Sequence, residues 1–108
     1  MGKSSVVYLL EQWGRWSRGG LGGMSCAVGS GGVPDISDEM ALRVDGAVIA
    51  CGIEKPVLRH VLELYYRKGN NVIEIQLYLR VGRVTVEKYL LEGRAFVAGR
   101  LSVDAEAA

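Results

Sequence analysis

The run from Tyr65 to Leu101, YYRKGNNVIEIQLYLRVGRVTVEKYLLEGRAFVAGRL, leaves this chain few ways to fold. Gly69 stops the helix before it, because glycine takes the left-handed position after a helix at no steric cost. Asn71-Val72-Ile73-Glu74 then places a capping residue three positions ahead of a glutamate, the pattern that opens a helix. That short helix carries Ile75 and Leu79 on one face and runs to the break Arg80–Gly82. From Arg83 to Leu101 the spacing predicts a long final helix with Val86, Leu90, Ala95 or Phe96, and Val97 inward. The β-branched residues Val81, Val84, Thr85 and Val86 favour a strand locally. No other segment offers such a strand a partner, and a lone strand is not stable. Short helix, three-residue turn and longer helix is the spacing of a helix-turn-helix. In that arrangement a buried aliphatic, Val81, pins the two helices at a steep angle. Gly82 caps the second helix without blocking its N-terminus from a DNA groove.

Upstream, Ser4 and Ser5 can cap a first helix over residues 4–18. Its apolar positions Val6, Leu9, Leu10, Trp13 and Trp16 share one face of a 3.6-residue period. From Gly19 to Pro34 the chain is nearly half glycine and carries no charge, the composition of a connector. Asp35, Ser37 and Asp38 offer caps for a second helix through Met40, Val44, Ala47, Val48 and Cys51, which the interior Gly46 weakens. Pro56 suits the first turn of a third helix, Val57 to Lys68, with Leu58, Val61, Leu62 and Tyr65 inward. The expected fold class is all-α: one domain of about five helices over residues 1–108, a bundle over 38–101 whose helix-turn-helix lies at about 70–100.

A chain of 108 residues excludes a multi-domain enzyme, and 49% hydrophobic residues suffice for a real core. The net charge of +1 gives no argument for a polyanionic partner by itself, but the charge is unevenly placed. Nine basic and five acidic residues lie between Ile53 and Leu101, whereas residues 1–52 carry one more acid than base. Cys26, Cys51 and His60 are too few and too scattered for a metal site or a disulfide framework. Reduced thiols, no metal and no cofactor are expected. No run has the length of a secretory signal or a membrane span, and Val6 spoils the myristoylation pattern at Gly2. A soluble, cytoplasmic protein is expected.

The helix-turn-helix resembles region 4 of bacterial sigma factors, whose pattern G-x-S-x-x-E-I-A-x-x-L-G-I-S-x-x-T-V-x-x-x-L is met at Gly69, Glu74, Ile75, Leu79, Thr85, Val86 and Leu90, with Val81 a conservative stand-in. It departs at Asn71, Gln76, Arg80 and Gly82. With the opening Leu10-Glu11-Gln12-Trp13-Gly14-Arg15-Trp16, the Gly-rich stretch and a YY-containing helix, residues 5 to 101 resemble the phage late-gene antitermination protein Q family. That resemblance implies a factor, of phage or prophage type, that binds a promoter-embedded DNA element and loads onto paused RNA polymerase still holding its sigma factor. Acting at the RNA exit channel, such a factor lets polymerase read through terminators. The zinc ligands of some antiterminators called Q are absent from this sequence.

Within the helix-turn-helix, Arg83, Val84, Glu87 and Lys88 are the candidate base contacts. Arginine and lysine donate to guanine, glutamate accepts from cytosine, and valine can touch a thymine methyl. Arg67, Lys68, Asn70, Asn71 and Arg80 flank the motif where phosphates would pass. The blander reading of both groups is a solvated face with charges complementing helix ends. Trp13 and Trp16, with Arg94 and Arg100, are the candidate polymerase contacts, tryptophan being a favoured hot-spot residue. The blander reading is that both indoles fill the core. His60 has no acid or nucleophile around it and reads as a structural histidine, and no catalytic set is present, so no enzyme is expected. Mean hydropathy of +0.16 points to apolar surface kept for a partner or a second copy. Two alternatives stand beside antitermination: an ordinary promoter-binding repressor or activator, and a helical adaptor that meets polymerase without binding DNA.

Overall fold

The computed structural model describes residues 5–19 and 36–102. Outside that range lie the connector expected over 19–34 apart from Gly19, the thiol of Cys26, the cap offered by Asp35, the N-terminal residues before Ser5 and the acidic tail.

The described residues form helices and no strand: α1 Val6–Gly19, α2 Asp38–Glu54, α3 Pro56–Leu62, α4 Val72–Leu79 and α5 Arg83–Leu101. The punctuation comes from the residues the chain supplies for it. Ser5 accepts from the Tyr8 amide at the start of α1 (3.3 Å), and Ser37 from the Met40 amide at the start of α2 (3.1 Å). Pro56 occupies the first turn of α3, where its missing N–H costs nothing. Gly69 adopts φ +77° after the third helix.

One element departs from regular geometry. After Leu62 the third helix widens into a π turn over Glu63–Arg67, closed by the Lys68 amide on the Glu63 carbonyl at 2.9 Å. The inserted residue rotates the rest of the helix, so Tyr66 and Leu64 are buried and Tyr65, expected inward, is only half-buried. The helix α1 explains why the irregularity is held. Gly14 lies so close to the Tyr66 carbonyl that a Cβ there would collide with it. One turn on, Arg18 donates to the carbonyls of Tyr66 (3.0 Å) and Arg67 (3.2 Å).

The core joins all five helices. Val6, Leu10, Trp13, Val44, Val48, Cys51, Val61, Leu62, Ile75, Val86 and Val97 have 1% exposure or less. Each large aliphatic so buried contributes about 1.5–3 kcal/mol. Burial pushes the Cys51 thiol above its ordinary range, with Lys55 pulling the other way. In α5 the inward set is Val86, Leu90, Gly93, Val97 and Ala98. Ala95 is exposed and Phe96 half-buried, a correction that follows from the close approach of α5 to α3 at Gly93, where an added Cβ would stand 3.0 Å from Leu62.

Candidate nucleic-acid interface

The short helix α4 is opened by a complete capping box. Asn71 Oδ1 accepts from the Glu74 amide at 2.8 Å, and Glu74 Oε1 accepts from the Asn71 amide at 2.9 Å. It closes at Arg80, which takes φ 60° and ψ 47°. Glycine takes that left-handed conformation at no steric cost, whereas Arg80 takes it as an L-residue. Val81 is half-buried, and its amide with that of Arg80 returns to the Gln76 carbonyl. Gly82 then caps α5 with no side-chain hydrogen bond. The turn therefore has the expected length, with Ile75 buried under it from α4 and Val86 and Leu90 from α5.

That placement leaves the start of α5 in solvent. Arg83, Val84, Glu87 and Lys88 are all exposed, Val84 at 78%. Arg83 Nε donates to Glu87 Oε2 at 3.0 Å. Arginine ahead of glutamate is the weaker order for such a pair, and both ends are wet, so the bond opens at little cost. The outward surface is not purely polar, however. Leu91 is 58% exposed one turn beyond Lys88, and on α4 Ile73, Leu77 and Tyr78 are 64% exposed or more. The ring of Tyr78 lies 5.5 Å from that of half-buried His60, which ties α4 to α3.

The flanking polar residues divide. Lys68 and Arg80 are exposed. Arg67 is engaged within the chain, its guanidinium 5.7 Å over the Trp13 ring and 3.4 Å from Glu63. Asn71 spends its side-chain oxygen on the capping box. An open depression of about 420 Å³ separates α1 from the start of α4, and it brings Arg15 and Arg18 beside Asn70 and Asn71. Sequence spacing did not point to Arg15 as a member of this group, because the proximity is made by packing across more than fifty positions.

The four candidate polymerase contacts separate as clearly. Trp13 has 0% exposure and donates from Nε1 to Asp45 at 3.3 Å, so its indole is core and is not part of any surface. Trp16 is half-buried and donates to Asp38 at 2.9 Å. Arg94 is held by the phenol of Tyr66, its Nε 2.7 Å from the hydroxyl and its guanidinium 5.8 Å over the ring. Burial pushes that phenol above its ordinary range, while Arg94 acts in the opposite direction. Arg100 is exposed.

Among the described residues no three of His, Cys, Asp and Glu come together in a way that could hold a metal ion, and no helix is long and apolar enough to cross a membrane. No family model matches the chain, and no curated protein or solved structure matches it either.

Proposed function

We propose that this protein is a transcription antitermination factor of the Q type, which reads a promoter-embedded DNA element through α4 and α5 and then stays with RNA polymerase. The reading is carried by one observation. A short helix with a full capping box meets a long helix across a three-residue turn, with Val86 and Leu90 buried and Arg83, Val84, Glu87 and Lys88 all in solvent. A helix so mounted can enter a major groove and offer donors to guanine, an acceptor to cytosine and a methyl-sized surface to thymine. Lys68 and Arg80, joined by Arg15 across the depression from α1, supply phosphate contacts on either side. Trp16 and Arg100 are the members of the polymerase group left at the surface.

A second reading has its own observation. Ile73, Leu77, Val84 and Leu91 interleave with the charges on the outward face of α4 and α5, and exposed aliphatics grouped in this way suit a protein partner better than a phosphate backbone. Under it, the helix-turn-helix is an adaptor that meets polymerase directly.

In vitro transcription through a terminator, on templates that keep or replace the promoter, separates the two when paired with mobility shifts on the same promoter. Antitermination by DNA loading requires readthrough only on the promoter template and loss of about 1–3 kcal/mol of specific binding for each of Arg83→Ala and Lys88→Ala. Readthrough on every template with no shift supports the adaptor. Promoter binding without readthrough leaves an ordinary regulator.

A further inference from the structure

Helix α2 is apolar on two opposite sides. Its core face, Ala41, Val44, Ala47, Val48 and Cys51, is closed by α1, α3 and α5. At 100° per residue, Leu42, Gly46, Ile49 and Ile53 fall on the opposite side as a second stripe. Leu42 is 58% exposed, Ile49 39% and Ile53 79%. An apolar stripe on the outward side calls for cover there, and aliphatics set in line mark an interaction surface where scattered ones do not. In the middle of the stripe a Cβ on Gly46 would meet none of the described residues within 4 Å. Among the described residues this glycine makes room for nothing, yet it leaves a notch in the stripe.

The pattern reads the same from either end. Leu42 and Ile53 are equally far from the midpoint of the stripe, and so are Gly46 and Ile49. A second copy of the helix laid antiparallel therefore sets each Leu42 against Ile53 of the other copy and each Ile49 into the notch at Gly46. Such a contact is isologous, as a twofold axis requires. The charges agree. Arg43 and Glu54 are both exposed on one flank of the stripe, about 16 Å apart along the axis and beyond reach of each other within one chain. The antiparallel arrangement brings Arg43 of each copy to Glu54 of the other. A parallel one would leave the two kinds of charge on opposite flanks of the seam, out of reach of each other.

We propose that α2 is a homodimerisation helix, pairing antiparallel with a second copy of this chain through Leu42, Gly46, Ile49 and Ile53 and locked in direction by reciprocal Arg43–Glu54 pairs. Sedimentation equilibrium of the full chain over the micromolar range tests it, with circular dichroism to verify that each variant is folded. A concentration-dependent dimer is expected, and Ile49→Asp should raise its dissociation constant about thirty-fold or more. Arg43→Glu and Glu54→Arg should each weaken it by opposing like charges, and the two together should restore it. Because both positions are exposed, these reversals leave the core untouched. A monomer at every concentration overturns the proposal, whatever other partner then covers the stripe. A dimer indifferent to Ile49→Asp, or a double reversal no better than the single ones, overturns this surface and this direction.

Discussion

Arg80 carries two demands that pull apart. Its left-handed backbone costs an L-residue about 1–2 kcal/mol that glycine would not pay. Its exposed guanidinium is a phosphate contact under the proposed docking. Arg80→Gly should therefore raise stability by about 0.5–1 kcal/mol, after the greater freedom of glycine in the unfolded chain is subtracted, while specific DNA binding falls. A thermal melt and a mobility shift on the same protein check both directions, and a variant that melts lower contradicts the assignment of strain to this residue. The two tryptophans divide in a similar way. Trp13→Ala should cost about 3–5 kcal/mol, because the indole is wholly enclosed and its removal opens a cavity under α1. Trp16→Ala removes one hydrogen bond at the surface and should leave a folded protein. If Trp16 belongs to the polymerase contact, that variant shifts its DNA site and loses readthrough, and equal readthrough moves the contact toward Arg100.

Between elements, the irregular stretch after α3 is the joint on which the rest depends. Gly14→Ala improves the intrinsic helix propensity of α1 by about 1 kcal/mol, yet it drives a methyl into the Tyr66 carbonyl. Overpacking against backbone that cannot yield typically costs about 1–3 kcal/mol, so the variant should melt lower than the parent in spite of the better helix former. This joint also shows which features could be read in advance. The caps at Ser5, Ser37 and Asn71, the proline at the start of α3 and the stop at Gly69 were legible because each is a contract between residues a few positions apart. The π turn was not, since the residues that hold it, Gly14 and Arg18, come from α1. With it went the exchange of Tyr66 for Tyr65 in the core and the capture of Arg94 by Tyr66. The depression that places Arg15 beside Asn70 was hidden for the same reason, whereas the exposed start of α5 followed directly from the phase of Val86 and Leu90.

At the scale of the molecule, the proposed DNA-reading unit has little packing of its own. Helix α5 lies against α2 and α3 more extensively than against α4, and α4 contributes Ile75 as its one wholly buried residue. Residues 55–102 alone should therefore fail to fold, giving weak helical dichroism and no cooperative melt. A cooperative transition in that fragment would show this unit to be autonomous. The reach from α1 to Tyr66 has a further consequence for how the protein is made. Arg18 and its acceptor are separated by 48 positions, which at ordinary synthesis rates is roughly 2–10 s of elongation. Because the exit tunnel delays both ends equally, a helix bearing Leu9, Leu10 and Trp13 emerges from the ribosome by that interval ahead of the Tyr66 turn that receives it. The nascent chain is thus at its stickiest between the emergence of α1 and that of Tyr66, and slowing elongation in that window lengthens the period in which chaperones must shield it.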